Sequence, residues 1–438
     1  MRYFLFLIIA FCSFVTGSHA EEIKIAVCGP FTERDTEIGY MLQRGVSLKI
    51  KEINASGGLN GIQVTVVYKD DAADPAEAFR VAGEVAKDKS ISAVIGHMHS
   101  NCSLAARDVY QQAKLPALSP GSTNVLLCSA SPYYFRTIYR NDYQAKFAVR
   151  YMDEILGLKN IALLSDNSAY GQELKRHFLT EAKKRHLNVV VQEFYDATTT
   201  QNFNSLVKKF RFKTPEIVFV AGFYQHAGLL AKAMEEEKIP IRIMGADALF
   251  SGEFIKIGGN STDKALIITP FVGHATFTQS FKKAYGVKPN ATAALSYDAA
   301  GLLLQVIAKV GTHREEIRKE LASMSSSEQG YQGVTGNTFF DLNGDCLRPA
   351  VVAMVSQGKF VAATKQMGTE LIKQPSKKTE DVEKIPERVA GPLLEEEKII
   401  PPQEKLLLMG FSANEVLIGI IIVMAIIIMM MVVRKPVK

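Results

Sequence analysis

At 438 residues, with 47% hydrophobic and 22% charged residues, 31 Gly and 16 Pro, the chain has ordinary globular composition, which excludes a disordered, collagenous or small disulfide-stapled protein. Its formal charge of +6, from 51 basic and 45 acidic residues, is spread along the chain without the basic block that a nucleic-acid footprint requires. The length allows roughly two to three domains.

Residues 1–20 carry one early cation at Arg2, an apolar run, and small residues at Ser18 and Ala20, the pattern of a secretory signal peptide cut after Ala20. Beyond it, short β-branched runs alternate with longer stretches of helical spacing. The predicted strands are 23–27, 63–69, 91–96, 160–165, 188–194, 216–222 and 265–271, and after the first of them Leu42, Val46, Ile50 and Ile53 recur on one helix face. This alternation predicts an α/β fold with parallel sheets wrapped in helices, and a head of about 340 residues is large for one sheet, so two lobes are expected. Ligands of open α/β sheets sit beyond the carboxyl ends of the strands, so the residues just after each strand are where function is sought. Residues 365–415 turn charged and proline-containing, the composition of a tether. Residues 416–433 have no charge, are just long enough to cross a bilayer, and are followed by Arg434, Lys435 and Lys438. A single transmembrane helix is expected there, with 434–438 as a cytoplasmic tail and the head outside the inner membrane.

Several motifs in the head occur in a recognisable order: IKIAVCGPF at 23–31, ISAVIGHMHS at 91–100, SPGST at 119–123, DNSAYGQEL at 166–174, MGADALFSGEF at 244–254 and TFFDLNGD at 338–345. Together they resemble the branched-chain amino-acid (leucine/isoleucine/valine) binding proteins of bacterial ABC importers, over residues 22–363. The resemblance implies a type I periplasmic-binding fold, two Rossmann-like lobes joined by three crossovers and closing on a ligand. The first lobe would comprise about 22–141 and 271–350, the second about 142–270 and 351–363.

The family holds its ligand's α-carboxylate with hydroxyls and N–H groups of the first lobe and the α-ammonium with an acid of the second. Carried over motif by motif, this places Ser100, Gly121, Ser122 and Thr123 at the carboxylate, Tyr170 over the ligand, Phe223 beside it, and Asp247 at the ammonium, where the branched-chain binders have Glu. Ser100 also makes physical sense unaided, since it could open a helix whose N-terminus favours an anion. Asp247 has a second reading, as N-cap of a helix starting near Leu249. Two departures, Ile38 where the family often carries Tyr before a Gly and Phe223 in place of Tyr, remove hydroxyls and favour an aliphatic or aromatic side-chain pocket. The Glu33–Arg34–Asp35 stretch reads as a solvated loop.

Elsewhere the sequence offers blander features. His97 and His99 lie two apart at a strand end, hence on one face, but lack clustered Cys or carboxylate, so packing is favoured over metal binding. Asp341, Asn343 and Asp345 imitate half a calcium loop, yet Cys346 stands where that loop needs Gly, and Asn343–Gly344 reads as a hairpin turn between TFF and AVVAMV. The family's usual disulfide would join the positions of Ala73 and His99 and cannot form, which leaves Cys102 and Cys128 as a candidate pair, with Cys28 and Cys346 unpaired. No phosphate loop or serine elbow occurs, so no catalytic residue, metal or cofactor is expected. The expected function is a membrane-tethered solute-binding protein that captures an amino acid for an ABC permease in the same membrane. The competing expectation is a ligand-sensing receptor or co-receptor subunit that binds an amino acid or small amide.

Overall fold

The computed structural model describes residues 22–32 and 35–367. The expected signal peptide, the tether beyond residue 367, the transmembrane helix and the tail lie outside the described residues. Five parallel strands, Ile23–Gly29 (β1), Val64–Asp70 (β2), Ile91–Ile95 (β3), Ala117–Ser119 (β4) and Tyr134–Arg136 (β5), form the first sheet in the order β2-β1-β3-β4-β5. The second sheet takes Asn160–Asp166 (β6), Asn188–Tyr195 (β7), Ile217–Ala221 (β8), Arg242–Gly245 (β9) and Leu266–Thr269 (β10), all parallel. Tyr331–Gly333 (β11) and Gly336–Thr338 (β12) make a separate two-stranded ribbon. Val351–Ser356 (β13) and Lys359–Ala362 (β14) then return antiparallel to complete the order β14-β13-β10-β9-β8-β6-β7.

The inner strands β1 and β3 are buried on both faces because helices cover both. Ile25, Val27 and Ile95 pack with Leu42 and Val46 on one side, while Ala26, Cys28 and Val94 pack with Val81, Val85 and Tyr110 on the other. The second sheet alternates in the same way, Leu164 and Val220 facing one cluster and Leu163 and Phe219 another. The predicted α/β fold with two Rossmann-like lobes is therefore the observed one, and Leu42, Val46, Ile50 and Ile53 do lie on one face of the Thr36–Ala55 helix.

A second long helix, Ala291–Val310, packs against the first, and Gly45 lets them approach so closely that a Cβ there would overlap the Ala293 carbonyl. By length and composition Ala291–Val310 is apolar enough to cross a membrane, but it is mostly buried within the head.

Three local expectations change. TFF and AVVAMV do not pair with each other. The Asp341–Asp345 turn is instead closed by a lone Phe340–Cys346 bridge, and the hairpin lies between β13 and β14, where Gln357 and Gly358 both take positive φ, 49° and 68°. His97 and His99 do not share a face, since β3 ends at Ile95 and strand periodicity lapses beyond it. The tether's first residues are part of the head: Tyr151 Oη donates to the Lys365 carbonyl at 2.8 Å, and the Gln366 side chain accepts from Val352 N at 2.9 Å and donates to Val352 O at 2.8 Å and Ala363 O at 2.9 Å.

Candidate functional site

The loops leaving the carboxyl ends of both sheets meet around a small, partly open cavity of about 60 Å³. Met98, His99 and Gly121 line it from the loops after β3 and β4, Phe223 from the loop after β8, and Asp247 from the loop after β9. Glu37 and Ile38 enter from the first turn of the Thr36–Ala55 helix, and Asn290 and Thr292 from the start of Ala291–Val310.

Asp247 is half-buried in a 3-10 turn, Asp247–Leu249, and accepts a hydrogen bond from Tyr170 Oη at 3.1 Å while its own N–H donates to Gln144 Oε1 at 3.1 Å. Burial pushes its carboxyl up to about 6, with Gln144 and Tyr170 opposing. It does not cap a helix. The following helix, Gly252–Gly258, is capped by Ser251, whose hydroxyl accepts from Glu253 N at 3.1 Å. Tyr170 and His99 both pack on Phe223, each with ring centroids 5.4 Å apart, and His99 and Phe223 line the cavity together with Asp247.

On the opposite wall Ser100 begins the Ser100–Gln112 helix, with His99 in extended backbone before it. Ser100, Ser122 and Thr123 are buried behind the lining residues, and of the residues expected at the carboxylate only Gly121 faces the cavity directly. Ser122 is committed internally, its hydroxyl paired with Ser103 Oγ and directed at the Met98 carbonyl at 3.3 Å. Thr123 Oγ1 is fully buried with no hydrogen-bond partner, an arrangement that leaves an acceptor or donor in demand.

This loop is held from behind by Arg136, which is fully buried at the end of β5. Its guanidinium donates to the Ser122 carbonyl at 3.0 Å and the Asn124 carbonyl at 2.7 Å, and pairs with Asp345 at 2.7 Å. Asp345, one of the acids that imitate a calcium loop, is thus the counterion of Arg136 and, at 3.1 Å, of Arg140. Among the described residues no group of three or more His, Cys, Asp or Glu is placed to hold a metal ion.

Contacts between the lobes surround the cavity. Asp35 does not sit in a solvated loop: it pairs with His99 Nε2 at 3.2 Å and accepts from Gln225 Nε2 of the second lobe at 2.5 Å. Deeper in, Glu173 of the Ala169–Lys184 helix accepts the Val125 N–H at 3.1 Å and Asn141 Nδ2 at 2.8 Å, and burial raises its carboxyl above the usual range. Asp166 anchors the turn into the same helix, accepting from Ser168 N at 2.9 Å, and its carboxyl is pushed up to about 6 by burial.

His97 points away from the cleft into the first lobe, with Nδ1 2.7 Å from Asp71 Oδ2 and Nε2 3.0 Å from Tyr110 Oη, all three buried. The candidate disulfide is not formed. Cys128 carries a free, buried thiol whose Sγ accepts from Arg136 Nε at 3.3 Å, and burial raises its pKa. Cys28 and Cys346 are also buried thiols, and burial pushes Cys28 up to about 12.

The sequence matches the profile of the periplasmic binding protein family over residues 22–359. A Leu/Ile/Val-binding protein homolog 2 from Brucella abortus (strain 2308) is 28% identical over 358 residues, covering 79% of this chain and 94% of that one. The leucine-, isoleucine-, valine-, threonine-, and alanine-binding protein of Pseudomonas aeruginosa is 29% identical over 352 residues, covering 78% and 92%. Among solved structures, the branched-chain amino acid transporter substrate binding protein LivJ from Streptococcus pneumoniae, crystallised with isoleucine, superposes with a TM-score of 0.73 at 26% identity, covering 78% of this chain and 98% of that one. With its two α/β lobes, the cleft between them and these relatives, the chain belongs to the periplasmic binding protein family and is a solute-binding protein, not an enzyme.

Proposed function

We propose that the head captures a free α-amino acid between its two lobes and presents it to an ABC permease, held at the membrane by residues 416–433. The observation that carries this reading is Asp247: a carboxylate in a closed cleft is costly to desolvate and is best compensated by a cation that arrives with the ligand. Across the cleft, the first turn of the Ser100–Gln112 helix and the Gly121–Thr123 loop would offer a carboxylate their N–H groups, with Thr123 Oγ1 as a hydroxyl in demand of a partner. A zwitterion then bridges the lobes, and its better contacts in the closed form shift the population toward closure, which the permease reads. The named ligands of the relatives, leucine, isoleucine, valine, threonine and alanine, support the α-amino-acid class.

Calorimetric titration of the full-length protein in detergent with the common amino acids tests this, and the absence of binding by any of them would sink it. The anchoring half is tested separately by fractionation. The protein is expected with the inner membrane, and recovery of intact full-length chain in the soluble periplasmic fraction would refute the tether.

A further inference from the structure

The cavity holds two carboxyls, and an α-amino acid brings only one ammonium. Asp247 has its own partners in Tyr170 and Gln144. Glu37 shares neither of them. Its Oε1 accepts from Asn290 Nδ2 at 3.1 Å, while its Oε2 is buried without a hydrogen bond of good geometry, the Ser251 side chain standing beside the carboxyl. Ser251, Asn290 and Thr292 line the same part of the cavity, so this part is polar although Ile38 beside Glu37 is not. A purely aliphatic side chain closing on these groups would leave the Oε2 acceptor desolvated and unpaired, a cost of the kind that gives polar pockets their discrimination.

We propose that Glu37 is a specificity-determining residue of the cleft, and that the amino acid bound there carries an N–H or O–H donor on its side chain that closes on Glu37 Oε2. This rests on the amino-acid reading above and narrows it, away from the aliphatic pocket suggested by Ile38 and Phe223. Burial pushes the Glu37 carboxyl up to about 7, the Ser251 and Asn290 side chains opposing and the neighbouring Glu253 and Asp35 adding to the rise.

The competing role for Glu37 is structural. Asn290 caps the Ala291–Val310 helix, its Oδ1 accepting from Ala293 N at 3.0 Å, and Glu37 steadies that cap. Glu37→Gln separates the two roles, because the amide oxygen still accepts from Asn290 while the amide NH₂ meets a ligand donor with a second donor.

The experiment is calorimetric titration of full-length wild-type and E37Q protein with leucine, isoleucine and valine, with threonine and glutamine as neutral donors, and with lysine as a cationic one. At least one donor-bearing ligand is expected to bind the wild type tenfold or more tighter than leucine. E37Q should lose at least tenfold for that ligand, change little for leucine, and keep its ligand-free melting temperature. A tighter neutral donor or a tighter lysine identifies which source supplies the donor. Aliphatic ligands binding as tightly as every donor-bearing one would overturn the inference, and so would an E37Q loss equal for all ligands. The wild-type order decides the matter even if the variant fails to fold. If no amino acid binds at all, the amino-acid reading itself fails and this inference falls with it.

Discussion

Replacing Asp247 with Asn should move stability and affinity in opposite directions. The ligand-free carboxyl is raised from 3.8 to about 6 by burial, so the folded state prefers its protonated form. A shift of about two units corresponds to about 3 kcal/mol, and with the cleft side of the group in partial contact with solvent about 2 kcal/mol is expected. The penalty is absent below the unfolded value near 3.8, grows as pH rises to about 6, and is constant above that. Asn cannot ionise, and its oxygen still accepts from Tyr170. The ligand-free variant should therefore melt higher than wild type at pH 7 and equal to it near pH 3.5. Amino-acid binding should weaken by about 3–5 kcal/mol, a hundredfold or more, because the ammonium loses a desolvated countercharge. Wild-type affinity should itself fall about tenfold per pH unit below pH 6, as binding then requires loss of the Asp247 proton. The assays are calorimetric titration and thermal unfolding across pH. Unchanged affinity in D247N, or a ligand-free variant that melts lower at pH 7, would refute the ammonium role.

Ser100→Ala and Thr123→Ala should each weaken binding by about 1–3 kcal/mol with little change in ligand-free melting, whereas Ser122→Ala, which breaks the Met98 and Ser103 contacts, should lower the melting temperature first; equal affinity in both of the former discards the carboxylate site. Glu173→Ala strands the Val125 N–H and Asn141 Nδ2 across the lobes, so closure should weaken by about 1–3 kcal/mol, seen as weaker binding and a larger radius of gyration with saturating ligand by X-ray scattering. A compact, wild-type scattering profile would show that Glu173 is no latch. Arg136→Met should loosen the Gly121–Thr123 loop and leave Asp345 buried with only Arg140, costing about 3–5 kcal/mol in urea unfolding, and a loss below about 1 kcal/mol would contradict the clamp.

The long strands were readable because they are five residues or more and predominantly apolar, as in β1, β6 and β8. The strands β4, β5 and β9 have three or four residues, too short for a period to register, and were found only through the sheets they complete. The Gln357–Gly358 turn lacks the Asn-Gly signature, whereas Asn343–Gly344 has it and closes a turn without a hairpin. At the cleft, Gly121, Phe223 and Asp247 follow strands directly, so motif order could reach them. Asp35, Glu37 and Glu173 could not be reached in this way. Each looks like an acid on a solvated loop or helix face until a second lobe, distant in sequence, is folded against it. Arg136 carried a fainter signal, a lone Arg at the end of an apolar strand, which only the carbonyls of the loop after β4 explain.

The stitching of Gln366 to Val352 and Ala363, with Lys365 tied to Tyr151, fixes which half of the molecule bears a load. Tension arriving along the backbone from beyond residue 367 enters through β13, an inner strand of the second sheet, and bypasses the crossovers between the lobes. Under the proposed anchoring, the second lobe would be the stationary frame and the first lobe the swinging arm. Pulling on the C-terminus would leave the opening angle untouched, so capture and release would proceed equally well under strain.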